Sequence, residues 1–210
     1  MEKKLVEKKL TEKKLTKRFY AAARTLLSSW MKAVTFCLCV AIIFIGTMPP
    51  STSITLSDHP KTLPPFHTQE AIDWLNSPPL QVEDLKGKVV LIDFWTYSCW
   101  NCYRSFPWLN TMEARFKDED FIVIGVHTPE FDHERDRSKV AEKIKEFGLH
   151  HPVVIDNDHR YWQAMRNRYW PAFYVVDKQG NIRHHYVGET HEGSQRARII
   201  EQAISQLLAE

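Results

Sequence analysis

Hydrophobic and polar positions fall into blocks along the chain, and the blocks change character near residue 66. Ala33 to Met48, reading AVTFCLCVAIIFIGTM, carries no charge. It ends at Pro49-Pro50, where a missing backbone donor and restricted dihedrals stop a helix. Thr47 to Pro65 is rich in Pro, Ser and Thr without sustained periodicity, which predicts a linker. Beyond Phe66, the run Val89-Val-Leu-Ile-Asp-Phe-Trp95 follows Gly87 and has the pattern of a strand buried on both faces. Phe121 to Val126 and the shorter Val153 to Ile155 repeat that pattern. Phe173 to Val176 and Ile182 to Val187 flank Asp177-Lys-Gln-Gly-Asn181, a hairpin signal. Helical spacing predicts helices over Trp100 to Phe116, Arg137 to Phe147, His159 to Arg166 and His191 to Leu208. Strands that alternate with helices and close on a hairpin imply an α/β sheet with mixed strand directions.

Charge refines the N-terminal third. A five-residue repeat, Glu2-Lys-Lys-Leu, Glu7-Lys-Lys-Leu, Glu12-Lys-Lys-Leu, matches neither a helix stripe nor a strand alternation and predicts a solvated basic arm. The apolar block after it is short, because a bilayer crossing takes about 17 to 25 apolar residues. Ser28 to Lys32 is therefore expected to extend it, with Lys32 snorkelling. A cleaved signal peptide is the competing reading, but the exit Thr47-Met48-Pro49-Pro50 offers no small-x-small cleavage site. The expected layout is a basic cytoplasmic arm (1–32), a signal anchor or transmembrane helix (33–48), a linker (49–65) and a folded domain (66–210). Positive charge keeps the N-terminus inside and sends the folded domain out, to the periplasm or outer face. The 210 residues allow one ordinary domain with an appendage, and a net charge of +2 is too small to argue for nucleic acid over the whole chain, so no nucleic-acid partner is expected.

The four cysteines form two pairs. Cys37 and Cys39 lie in the apolar block, where thiols behave as small hydrophobes. Cys99 and Cys102 lie where a buried strand runs out and a helix begins. The free N–H groups and dipole of a helix N-terminus favour a thiolate, so Cys99 reads as an attacking nucleophile and Cys102, one turn on, as the resolving thiol. A zinc site would need two further ligands, and no second CxxC exists. The adjacent pairs His150-His151 and His184-His185 lack ligand spacing and are expected in solvated loop and strand positions.

Asp93-Phe-Trp-x-x-x-Cys99-x-x-Cys102 resembles the active-site strand and helix of the thioredoxin superfamily. The resemblance implies that Pro107 kinks the active-site helix and that Asp93 is a buried proton acceptor for the resolving thiol. It also implies that Trp170-Pro171 forms a cis-proline loop facing the disulfide and pairing with substrate. The long interval between Cys102 and Pro171, with His127 to Lys143 inside it, is similar to the added helix and strand of the TlpA-like branch. Trp74-Leu-Asn-Ser, the stretch from Gly87 to Cys99 and Gly125-Val-His-Thr-Pro-Glu-Phe resemble the thioredoxin-like domain of DipZ-type proteins. The implied fold is thioredoxin-like, a mixed central sheet flanked by helices with a TlpA-type insertion, plus the N-terminal membrane anchor.

Beside the dithiol, Trp100 is expected at a substrate-contacting surface with Trp170 and Pro171, and Trp95 in the core. Glu130 and His127, after a strand end, are candidate supporting groups. The expected activity is thiol-disulfide exchange with exported proteins, apocytochromes among them, without a cofactor beyond the Cys99-Cys102 couple and with a membrane electron donor or acceptor as redox partner. Two rivals stand beside it. Thr96-x-x-Cys99 admits a thiol peroxidase, although Ile92 stands where that motif has proline. A groove near Trp100 and Trp170 admits a binding or holdase module for unfolded chains.

Overall fold

The computed structural model describes residues 59–210. The basic arm, the apolar block and the linker up to residue 58 lie outside the described residues. Six strands form one sheet: β1 (Trp74–Leu75), β2 (Val89–Trp95), β3 (Phe121–His127), β4 (Val153–Ile155), β5 (Ala172–Val176) and β6 (Ile182–Val187). Their spatial order is β1-β4-β3-β2-β5-β6. The β2/β3 and β3/β4 pairs are parallel, while β1/β4, β2/β5 and β5/β6 are antiparallel. Four helices complete the domain: α1 (Trp100–Arg115), α2 (Arg137–Glu146), α3 (Arg160–Ala164) and α4 (Gln195–Ala209).

β2 is buried along its whole length because both sheet faces are covered. Its odd-numbered side chains Val89, Leu91 and Trp95 join one core with Phe106, Leu109 and Met112 of α1 and Ile200 and Ile204 of α4. Its even-numbered side chains Val90, Ile92 and Phe94 join a second core with Phe66, Trp74, Tyr161 and Tyr174. α1 buries Cys102, Phe106, Leu109 and Met112, a stripe at three- and four-residue spacing. Pro107 lies inside this helix, where it supplies no N–H to the ladder. α4 starts at Gln195 because Ser194 caps it, its hydroxyl accepting from the Ala197 N–H. The hairpin between β5 and β6 turns on Asp177, whose Oδ1 accepts from the N–H groups of Gln179 and Asn181. Gly180 takes the left-handed position there, with φ 86°.

The chain is tied to the sheet ahead of Phe66. Thr62 bridges to Asn181, the Leu63 N–H donates to the Gly180 carbonyl, and Leu63 is buried. One expectation is corrected. His150 is exposed, but His151 is buried, with Nδ1 3.1 Å from Glu113 Oε2 on α1. The space it fills exists because its neighbour across the sheet, Gly125, has no side chain: a Cβ there would lie 3.2 Å from His151 Nε2.

Candidate active site

β2 ends and α1 begins at a disulfide. Cys99 and Cys102 are bonded, their Cα atoms 5.3 Å apart. Cys99 is the N-cap of α1, and its Sγ accepts from the Cys102 N–H at 3.1 Å. Its own N–H donates to the Thr96 carbonyl at 3.2 Å. Once the bond opens, the same helix end favours a thiolate on Cys99. Cys99 is half-buried and Cys102 fully buried, so an incoming sulfur meets Cys99 first.

Asp93 lies on the face of β2 that α1 covers, because its neighbours two residues away, Leu91 and Trp95, pack in the core that holds Cys102. Burial disfavours the ionised form and pushes its carboxyl up to about 8. Its Oδ1 has no protein hydrogen-bond partner among the described residues.

The β2/β5 register sets Phe94 opposite Ala172, and continuing it by one residue places Pro171 opposite Trp95, at the sheet end where the cysteine loop leaves. The Trp170–Pro171 peptide is cis. Trp170 is half-buried, its ring 4.2 Å from that of Trp162, and its Nε1 donates to the Thr128 carbonyl at 3.1 Å. The Thr128 N–H donates in turn to the Trp95 carbonyl at 3.1 Å. These bonds join the proline loop to the ends of β3 and β2. Trp95 is fully buried, edge-on to Phe106 and His127. Trp100 is 66% exposed and stacks on Tyr103, with ring centroids 5.4 Å apart. A groove of about 250 Å³ runs beside them, lined by Tyr97, Cys99, Tyr103 and Phe147.

Sequence reasoning missed Glu134. Position after a strand end was the available signal, and Glu130 shares it. The Glu130 side chain is exposed and contributes only its main-chain N–H, whereas Glu134 is buried. Glu134 Oε1 accepts from the Ser98 N–H at 3.1 Å, and Oε2 accepts from those of Glu130 at 2.6 Å and Phe131 at 2.9 Å. Burial opposes ionisation, but hydrogen bonds from Phe131, Thr96, Ser98 and Glu130 outweigh it and hold this carboxyl below its ordinary value. Tyr97 Oη donates to the His133 carbonyl at 2.6 Å, so the loop after β3 is clamped onto the segment that leads to the disulfide. His127 lies beneath, Nε2 3.4 Å from Thr96 Oγ1, with the Tyr97 ring stacked on it. Burial drives its pKa down to about 4 against the opposing field of Glu134, leaving a neutral imidazole at neutral pH.

Among the described residues, His67, Asp156 and Asp158 have potential metal-ligand atoms within 4.8 Å of one another. Asp156 already accepts from the N–H groups of Tyr161 and Trp162, and Asp158 pairs with Arg160. That arrangement is a cap for α3.

Residues 62–204 match the Redoxin family. The chain belongs to that family. It is 45% identical over 119 residues to Protein DipZ of Mycobacterium bovis, a match that takes in 55% of this chain. The chain spans only 17% of the length of DipZ. It is 31% identical over 137 residues to the thiol-disulfide oxidoreductase YkuV of Bacillus subtilis, covering 65% of this chain and 88% of YkuV. Among solved structures, a thioredoxin-like protein in the oxidized form superposes with a TM-score of 0.61 at 31% identity, covering 73% of this chain and 98% of the other. Family, fold and disulfide together show a thioredoxin-fold redoxin domain with a Cys99–Cys102 disulfide at the start of α1.

Proposed function

We propose that the protein is a membrane-tethered oxidoreductase that exchanges disulfides with exported proteins, apocytochromes among them, through Cys99 as nucleophile and Cys102 as resolving thiol. The observation that carries this reading is the half-buried Cys99 at a helix N-terminus, bonded to a fully buried Cys102 on the sheet face that carries a buried carboxyl. In the reducing direction the Cys99 thiolate attacks one sulfur of a substrate disulfide. A Cys99–substrate bond forms, and the other substrate sulfur leaves as a thiolate that takes a proton from solvent. Cys102 passes its proton to the Asp93 carboxylate and attacks Cys99 Sγ. The internal disulfide re-forms, and the substrate leaves with two electrons gained. A carboxyl titrating near 8 is matched to an ordinary thiol at about 8.5, so proton transfer between them costs little.

Trp100, Trp170 and Pro171 frame the approach to Cys99, and Trp95 and Glu134 support the frame from inside. The tether is read from the uncharged Ala33 to Met48 block behind a basic arm. No helix among the described residues is long and apolar enough to cross a membrane. An electron donor or acceptor in the membrane completes the cycle.

Cys102→Ser in the full-length protein tests the mechanism. It is expected to accumulate covalent complexes that dithiothreitol releases and that vanish when Cys99→Ser is added. Complexes that persist without Cys99, or none at all, refute it. Alkaline carbonate washing of membranes tests the tether: the protein is expected in the pellet, and full release contradicts an anchor.

A further inference from the structure

Asp93 must shed each proton it takes from Cys102, yet it is 1% exposed and reaches solvent only through the protein. Three buried polar atoms on its side of the sheet have no protein hydrogen-bond partner among the described residues: Asp93 Oδ1, Trp95 Nε1 and His151 Nε2. Gly125 lies between them. It pairs with Asp93 on one side and with Val153 on the other, and His151 sits two residues before Val153. Asp93, on a strand about 4.8 Å from that of the glycine, and His151, in the segment that leads into β4, thus flank the glycine on the face covered by α1. A Cβ on Gly125 would stand 2.9 Å from Trp95 Nε1 and 3.2 Å from His151 Nε2, so the missing side chain is what leaves the two sides open to each other.

The far end of His151 leads outward. Its Nδ1 is 3.1 Å from Glu113 Oε2, and the Glu113 side chain is 25% exposed against 1% for His151. In the tautomer whose Nδ1 donates to Glu113 Oε2, Nε2 presents its lone pair inward, towards Asp93 and the donor-only indole.

We infer that His151 and Glu113 form the proton exit of the active site, across the gap that Gly125 opens. The inference rests on the assignment of Asp93 as proton acceptor. The proton taken from Cys102 leaves the Asp93 carboxyl for His151 Nε2, directly or over one bridging water. The hydrogen on Nδ1 passes to the Glu113 carboxylate and from there to solvent. The imidazole returns to its starting tautomer by the reverse exchange, and no electrons move. His151 and Glu113 are positioning residues in this scheme, because they act on the sulfurs through Asp93. The titratable groups facing the gap are Cys102 and Glu113 from α1, Asp93 from β2, His127 from β3 and His151 itself.

The test is single-turnover reduction of a synthetic peptide disulfide by the pre-reduced full-length protein, across pH 6 to 9, for wild type, Glu113→Gln, His151→Gln and Asp93→Asn. Glu113→Gln keeps an acceptor for His151 at a partly exposed position, so it guards against a folding artefact. Positioned proton transfer contributes about 10²- to 10⁴-fold, and loss of either relay member is expected to slow the Cys102 step by about tenfold or more at pH 6 to 7. The deficit should narrow above pH 8, where Asp93 is already ionised, and the redox midpoint should not move, since a path changes rates and not equilibria. Wild-type rates in both relay variants, or a slowing that is equal at every pH, overturn the relay. If Asp93→Asn alone is slow, the relay fails and Asp93 stands as acceptor; if Asp93→Asn is as fast as wild type, both fail.

Discussion

Replacing Asp93 by asparagine removes a charge that the fold never welcomed, and the effect on stability can be worked out from its titration. In the unfolded chain the carboxyl releases its proton near 3.8; in the folded protein it keeps it to about 8. Between those values the folded state binds more protons than the unfolded state. Stability is therefore full below about pH 4 and is lost as pH rises towards 8. Each pH unit between the two titrations is worth about 1.4 kcal/mol, which sets a ceiling of about 4 kcal/mol at pH 7. Relaxation and water penetration reduce this to about 2 to 4 kcal/mol. Asparagine has nearly the same shape but no titration. It adds a constant offset from its own buried amide and removes the slope. Urea denaturation of the oxidised wild type and Asp93→Asn at pH 4, 5.5, 7 and 8 is the assay, read as the difference between the two proteins. The difference is expected to shift in favour of the variant by about 2 to 4 kcal/mol between pH 4 and 7. A difference that stays flat over this range refutes the buried, protonated carboxyl.

Two other buried groups give opposite signatures. Glu134→Ala leaves the N–H groups of Ser98, Glu130 and Phe131 without their acceptor, at about 1 to 3 kcal/mol for each one that stays buried. Denaturation midpoints are expected to fall accordingly, and a loss under about 1 kcal/mol would show that the clamp on the 96–98 segment carries little weight. His127 titrates near 4 folded and near 6.5 unfolded, so the unfolded state takes up the proton first and stability is lost as pH falls through that window. His127→Asn is expected to flatten this acid-side loss, worth up to about 3 kcal/mol; the same acid slope in the variant and wild type contradicts a neutral buried imidazole.

What the sequence showed depended on whether local pattern or tertiary packing decides an element. β2 and β3 were legible because a strand covered on both faces must be a continuous apolar run, and the β5–β6 hairpin because its turn chemistry is local. The two-residue β1 was not, since Trp74–Leu75 becomes a strand only through pairing with Val153 and Val154. α3 is shorter than expected: Asp156 caps it from the side by accepting from Tyr161 and Trp162, and Arg166 turns left-handed with φ 53°. The CxxC pair and Asp93 stood out by spacing within one strand and one helix. Glu134 and His151 did not, because a carboxylate in a polar loop and a histidine before a proline look solvated until the sheet and α1 close over them.

Thiol-trapping titration of the Cys99–Cys102 couple in defined redox buffers, on the full-length protein, tests the central claim most directly. A reversible two-electron midpoint is expected within the range of about −270 to −120 mV that known CxxC proteins span, lost in Cys102→Ser. A midpoint near −270 mV marks a reductant that must be fed electrons, and one near −120 mV an oxidant. A disulfide that shows no reversible couple in this range would contradict the assignment of the site as a working dithiol.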